Sequence, residues 1–219
     1  MVKVNEIFTS IQGEGPYVGY KQLFVRFCKC NLNCSYCDTD FSQLGAKEYS
    51  ADELANICNQ HTDCHSVSLT GGEPLTEIEF LKEFLPEIHS NIYLETNGTL
   101  YKELEQIIDY IEYVSSDIKL PSCTGLQPNW DLHDNFFEIA SQKELFAKVV
   151  FDSNISEYEI IKTSKLASKY NIELILQPMM KNNRPVVTTE FMCSTLDRFI
   201  KLHSRTRLIP QVHKFIDII

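Results

Sequence analysis

The sequence has no apolar run of about 18 residues that would span a bilayer, and its first ten residues, MVKVNEIFTS, offer neither a basic leader nor an apolar core behind one. A cytoplasmic protein with no membrane partner is therefore expected. Positive charge is scarce: Lys+Arg 20 against Asp+Glu 30 leaves a net charge of -10, which argues against nucleic acid as a partner while leaving room for a local basic pocket around a small anion. Linkers rich in Gly, Ser or Pro, low-complexity tracts and internal sequence repeats are all missing, so residues 1–219 are expected to form one domain. With 43% hydrophobic and 23% charged residues, the chain is neither disordered nor fibrous.

What the sequence does have is cysteine, 8 in all, and without a secretory leader these are expected to be reduced thiols available to a metal. Cys58, Cys64, Cys123 and Cys193 are scattered and read as small buried hydrophobes. Cys28, Cys30, Cys34 and Cys37 crowd one short segment, and Cys28 follows the inward alternation of a strand, so it reads as core. Cys30-x3-Cys34-x2-Cys37 then supplies three thiolates, each able to hold one iron of a cubane cluster, with the fourth iron open to a small molecule. The competing reading of the same loop is structural zinc, with Cys28 or a distant His as fourth ligand. Zinc sites ordinarily draw on two separated ligand pairs; the sequence has no second Cys-x2-Cys, and His61 and His65 have no matching pair.

Alternating patterns organise the rest. Strands are expected over Lys21–Cys28, Val67–Thr70, Ile92–Glu95, Tyr113–Ile118, Leu145–Phe151, Glu173–Gln177 and Thr206–Ile209. Between them come helices: one from a Ser50-x-x-Glu53 capping box to Cys58, then Thr76–His89, Thr99–Ile111, Asn135–Gln142, Ser156–Tyr170 and Thr188–Leu202. Only a short helix fits between Phe41 and Tyr49. Repeated β-then-α units require parallel strands, and about six units fall short of a closed eight-unit barrel, so the expected fold class is α/β, a partial (open) β/α barrel of about six parallel strands. Function in such a barrel sits at the carboxyl ends of the strands, where the cysteine loop, Thr70-Gly71-Gly72-Glu73-Pro74, Glu95-Thr96-Asn97-Gly98, Ser116-Asp117-Ile118-Lys119 and Gln177-Pro178-Met179-Met180 all fall.

The cysteine spacing, with Tyr36 just before the third cysteine and Gly71-Gly72-Glu73 about 35 residues downstream, resembles the radical S-adenosylmethionine (SAM) superfamily. Ile7-Phe8-Thr9-Ser10-Ile11-Gln12-Gly13-Glu14-Gly15, Phe24-Val25-Arg26-Phe27, the Cys37-Asp38-Thr39 continuation and Ile209-Pro210-Gln211-Val212-His213-Lys214 narrow this to the 7-carboxy-7-deazaguanine synthases, from about residue 5 to the C-terminus. That resemblance implies a radical SAM-type fold and a magnesium-dependent lyase in queuosine and related deazapurine biosynthesis. The reaction is the ring contraction of 6-carboxy-5,6,7,8-tetrahydropterin to 7-carboxy-7-deazaguanine with loss of ammonia. It also implies a homodimer and an external, flavodoxin-like electron donor.

Residue by residue, the resemblance assigns Cys30, Cys34 and Cys37 to a 4Fe-4S cluster and Thr39 to Mg2+. SAM is assigned Tyr36, Gly71, Gly72, Glu73, Glu95, Thr96, Asn97, Ser116, Asp117, Lys119, Gln177, Pro178, Met179 and Met180. The pterin is assigned Ile11, Gln12, Gly13, Glu14, Arg26, Thr70, Gln211, His213 and the terminal carboxylate of Ile219. No side chain is assigned as acid or base, since cluster and SAM carry the chemistry. The residue types suit these tasks: a carboxylate and an amide pair with the donor-acceptor edge of a pterin, a guanidinium takes a carboxylate at two points, and magnesium prefers oxygen. Plain structural alternatives stand beside them, with Gln12 and Glu14 decorating a glycine turn, Arg26 at a strand end, Thr39 capping a turn and the SAM segments as polar strand termini. Phe215, Ile216, Ile218 and Ile219 are expected to pack on the barrel. Two other functions fit the cysteines: a radical SAM activase that makes a glycyl radical on a partner protein, and a non-catalytic zinc or iron-sulfur module.

Overall fold

The structure is a computed structural model that describes residues 1–37 and 45–218. In chain order the elements are β1 (Val2–Ile11), β2 (Lys21–Phe27), β3 (Lys47–Tyr49), α1 (Ala51–Asn59), β4 (Ser66–Gly71), α2 (Ile78–Phe84), β5 (Ile92–Thr96), α3 (Tyr101–Glu105), β6 (Tyr113–Asp117), α4 (Pro121–Thr124), α5 (Trp130–Ala140), β7 (Glu144–Phe151), α6 (Glu157–Lys169), β8 (Glu173–Pro178), β9 (Met180–Lys181), β10 (Arg184–Pro185), α7 (Thr189–Leu202) and β11 (Thr206–Leu208). One sheet runs β11-β8-β7-β6-β5-β4-β2-β1-β3, and β9 and β10 form a separate small hairpin. Every pairing from β2 through β11 in that sheet is parallel, whereas β1 runs antiparallel to both β2 and β3.

The expected open β/α barrel is present, with seven parallel strands among the described residues in place of about six and an antiparallel edge that the alternation did not reveal. The region before Ala51, where only a short helix was expected, contributes β3. Two expected helices are broken. Pro86 has no N–H to continue α2, which stops at Phe84, and an irregular Ile107 (φ -131, ψ 2) separates α3 from a 3-10 turn at Ile108–Tyr110. Ser50 and Glu53 do form the capping box at α1, and Ser156 and Glu159 form a second at α6.

Strand alternation separates two environments. Val67, Leu69, Leu94, Val114, Ala147, Val149, Leu174 and Leu176 are buried in the main core with helix residues such as Leu54, Phe84, Leu104, Phe136 and Ile160. The intervening residues face the barrel interior. Its floor is a smaller buried cluster of Tyr17, Tyr93, Phe146 and Ile175, with Tyr113 against it. Above that floor the interior turns polar.

Cys28, Cys58 and Cys123 are buried as expected, but Cys64 is partly exposed and Cys193 exposed, because Cys193 lies on the outer side of α7. The apolar tail is a second correction: Phe215 is 53% exposed and Ile216 51% exposed, since the chain turns at Val212–Lys214 and carries them past the barrel wall. Ile219 and Thr39 lie outside the described residues.

Candidate active site

A cavity of about 980 Å³ opens at the carboxyl ends of the parallel strands, at the upper end of the size range of small-molecule sites. Cys30, Cys34 and Cys37 all line it. Their loop is held from three sides. The Glu73 N–H donates to the Lys29 carbonyl at 2.6 Å; Asn97 Nδ2 donates to Asn31 Oδ1 at 2.8 Å; Ser35 donates from N to the Thr124 carbonyl and from Oγ to the Cys123 carbonyl. Gly71 and Gly72 allow the first contact: Gly71 has φ +106, and a Cβ on Gly72 would lie 2.0 Å from the Lys29 carbonyl oxygen. Burial pushes the thiols of Cys30 and Cys34 up.

Among the residues assigned to SAM, Tyr36, Gly71, Gly72, Glu95, Thr96, Asn97, Asp117, Lys119, Gln177, Met179 and Met180 reach the cavity. Glu73, Ser116 and Pro178 do not; they are buried behind it. The Glu73 carboxylate accepts from the Asn97 N–H at 2.7 Å, Thr96 Oγ1 at 2.9 Å and the Leu75 N–H at 3.2 Å, so it ties the ends of β4 and β5 together. Burial nevertheless raises its pKa to about 7, against the donors that favour the charged form. Lys119 Nζ pairs with Asp117 Oδ2 at 2.7 Å and reaches the Tyr36 hydroxyl at 3.4 Å. Gln177 Oε1 is buried with no hydrogen-bond partner among the described residues.

Of the residues assigned to the pterin, Ile11, Gln12, Gly13, Glu14, Arg26, Thr70, Gln211 and His213 all line the same cavity. Gln12 Nε2 donates to Glu95 Oε1 at 2.9 Å, and Thr70 Oγ1 donates to Glu95 Oε2 at 3.2 Å, which sets Glu95 among the pterin residues more than among those for SAM. Glu14 accepts from Gln211 Nε2 at 2.6 Å, and the Val212 N–H donates to the Gly13 carbonyl at 2.8 Å, so the tail closes over the segment after β1. Arg26 pairs with Glu6 at 2.5 Å and lies 4.8 Å above the Phe8 ring.

Two residues at the site escaped the sequence reading. Lys148 on β7 lines the cavity and pairs with Glu14 Oε2 at 2.5 Å; its signal was a lysine inside the otherwise apolar run Leu145-Phe146-Ala147-Lys148-Val149-Val150. His133, 1% exposed on α5, sits between the Gly98 carbonyl at Nδ1, 3.1 Å, and the Lys119 N–H at Nε2, 3.4 Å. Nothing local in the sequence marks it.

Residues 24–125 match the sequence model of the radical SAM superfamily. The 7-carboxy-7-deazaguanine synthase of Geobacter sulfurreducens is 33% identical to this chain over 97% of its length and 96% of the relative's. The chain belongs to the 7-carboxy-7-deazaguanine synthase family. The synthase of Archaeoglobus fulgidus is 32% identical across 97% of both chains. Among solved structures, QueE from Escherichia coli shares the fold at a TM-score of 0.66 and 20% identity, covering 97% of this chain and 94% of that one.

Membership of this family within the radical SAM superfamily implies a 4Fe-4S cluster and SAM. The residues fit both groups. Three thiols with no disulfide partner line the cavity, on a loop that the Gly71–Gly72 backbone packs against with no room for a Cβ, and the buried amide oxygen of Gln177, which lines the same cavity, has no partner among the described residues.

Proposed function

We propose that this protein is a 7-carboxy-7-deazaguanine synthase that converts 6-carboxy-5,6,7,8-tetrahydropterin to 7-carboxy-7-deazaguanine. Substrate and product differ by one ammonia, so the net reaction is redox-neutral and SAM is regenerated. The observation that carries the reading is one cavity lined both by the three thiols and by Gln12, Glu14 and Arg26, in a chain similar over 97% of its length to a named synthase. When bound, the reduced cluster and SAM supply a carbon radical that removes a hydrogen atom from the substrate.

The chain's own residues bind and orient. Cys30, Cys34 and Cys37 hold the cluster; Gly71 and Gly72 offer backbone to SAM, Lys119 offers a cation to its carboxylate, and Gln177, Met179 and Met180 border its adenine. On the substrate side, Glu14 and Gln12 pair with the pterin's donor-acceptor edge, Glu95 and Thr70 extend that polar wall, and Arg26 takes the pterin carboxylate in exchange for Glu6. Gln211 and His213 shield the pocket from water. Thr39 supplies a hydroxyl oxygen to Mg2+. Residues 1–219 act as one domain, as a homodimer in the cytoplasm, reduced by an external flavodoxin-like donor.

An anaerobic assay of the reconstituted protein with SAM, dithionite and the carboxytetrahydropterin, read by mass analysis, tests the reading. A product lighter than substrate by one ammonia is expected, with turnover stimulated by magnesium in wild type and less so in Thr39→Ala. SAM cleavage with the pterin unchanged would overturn the assignment.

A further inference from the structure

Lys148 is a cation lining the cavity that binding of SAM and pterin, as set out above, leaves without a task. It is 4% exposed, in the middle of β7, and its Nζ lies 2.5 Å from Glu14 Oε2 and 3.5 Å from Asp117 Oδ1. Asp117 stands opposite it in the β6–β7 register, while Glu14 arrives from the segment after β1, across the barrel. A buried ammonium is costly unless its partners are close, and here it has two. Through Asp117, which also holds Lys119, it joins the wall assigned to the pterin to the wall assigned to SAM.

We propose that Lys148 is a positioning residue that fixes the Glu14 carboxylate as a charged acceptor, and thereby makes the pocket select ligands that present an edge of N–H donors, as a pterin does. The proposal rests on the placement of Glu14 against the substrate given above. The groups facing Glu14 are Lys148 from β7, Tyr93 from β5, and Gln211 and His213 from the tail, while Glu95 from β5 and Asp117 from β6 face Lys148. Burial alone would raise the Glu14 pKa, but the Lys148 ammonium, with the Gln211 amide and His213, holds it well below the usual carboxylate range. Without Lys148, Glu14 would keep only the Gln211 amide and His213 against the burial that raises its pKa. It would hold a proton near neutral pH and present an O–H donor to the donor edge of the ligand.

The test compares wild type, Lys148→Met, Lys148→Arg, Glu14→Gln and the Lys148→Met/Glu14→Gln double variant, each as anaerobically reconstituted holoenzyme. In Lys148→Met the KM for the carboxytetrahydropterin should rise about tenfold at neutral pH and recover as pH rises, because Glu14 then ionises again. Wild type should show no such limb. The double variant should be no worse than Glu14→Gln alone, as expected if Lys148 acts through Glu14. In substrate-free protein, Lys148→Met should add a protonated-carboxyl infrared band at neutral pH that the double variant lacks. Lys148→Arg keeps a charge beside Glu14, so its KM should be raised severalfold yet independent of pH, and it carries the test if the methionine variant does not fold. An unchanged KM in Lys148→Met, a KM in Lys148→Arg that recovers with rising pH, additive losses in the double variant, or no new infrared band would overturn the proposal. Absence of wild-type turnover would instead overturn the substrate reading, and the infrared comparison would still decide the role of Lys148.

Discussion

His133 holds two loops of the cofactor end with one neutral ring: Nδ1–H donates to the Gly98 carbonyl while Nε2 accepts from the Lys119 N–H. Burial lowers its pKa to about 4. Between that value and the ordinary one of about 6.5, the unfolded chain takes up a proton that the folded protein refuses, so stability falls as pH drops through this window. The loss is on the order of 3 kcal/mol, and His133→Asn should flatten the slope of denaturation midpoint against pH across it. Arg26 is geometrically restricted in another way, paired with Glu6 and seated over Phe8; in the proposed function its guanidinium would exchange Glu6 for the substrate carboxylate. Arg26→Lys keeps the charge but loses the planar fork, and kcat/KM for the pterin should drop roughly thirtyfold, equivalent to about 2 kcal/mol. For the cysteines, Cys34→Ala should abolish SAM cleavage and lower reconstituted iron content, whereas Cys193→Ala, on an exposed helix face, should change neither.

At the scale of elements, the parallel strands work as two-sided objects, with one set of alternate residues toward the helices and the other toward the interior. In β7 Ala147, Val149 and Phe151 serve the core, while Phe146 floors the barrel and Lys148 and Val150 line the cavity. The loops that follow the strands are then fastened to one another. Gly72 is the tightest of these contacts: a Cβ there would meet the Lys29 carbonyl oxygen at 2.0 Å and the Cys30 nitrogen at 3.2 Å, both backbone atoms that cannot rotate away. Gly72→Ala should therefore displace the cysteine loop and lower both iron content and SAM cleavage. Gly19→Ala provides the contrast. Gly19 has φ +94 but nothing within 4 Å of its Cβ position, so that variant should cost about 1 kcal/mol in stability and leave the iron content intact.

Across the whole molecule, an open barrel leaves a gap that the two ends of the described chain help to cover. The Gly13 carbonyl accepts from the Val212 N–H, and a Cβ on Gly13 would lie 2.2 Å from His213 Nδ1. Gly13→Ala should push the tail away from Glu14, raising the KM for the pterin by more than it slows uncoupled SAM cleavage, measured as deoxyadenosine release without substrate. Equal effects on both would mean that the tail supports the whole site and not one wall of it.

Local chemistry made much of this protein legible in sequence. Cys30-x3-Cys34-x2-Cys37, the glycines at 71 and 72 and the capping box at Ser50 each act within a few residues, and the β-then-α alternation has a period that hydrophobicity alone reveals. The first strand escaped because its ten residues, with Asn5, Glu6, Thr9 and Ser10 among Val2, Val4, Ile7 and Phe8, pair antiparallel at an edge and are buried only in part. The exposed Phe215 and Ile216 escaped because hydrophobicity does not say where a chain turns. What only the tertiary structure decided are the meetings between distant residues: Gln12 with Glu95, Gln211 with Glu14, Lys148 with Glu14 and Asp117, and His133 with the Gly98 and Lys119 loops. A buried charge or a neutral histidine is acceptable only because its partner lies across the barrel, and no pattern along the chain records that distance.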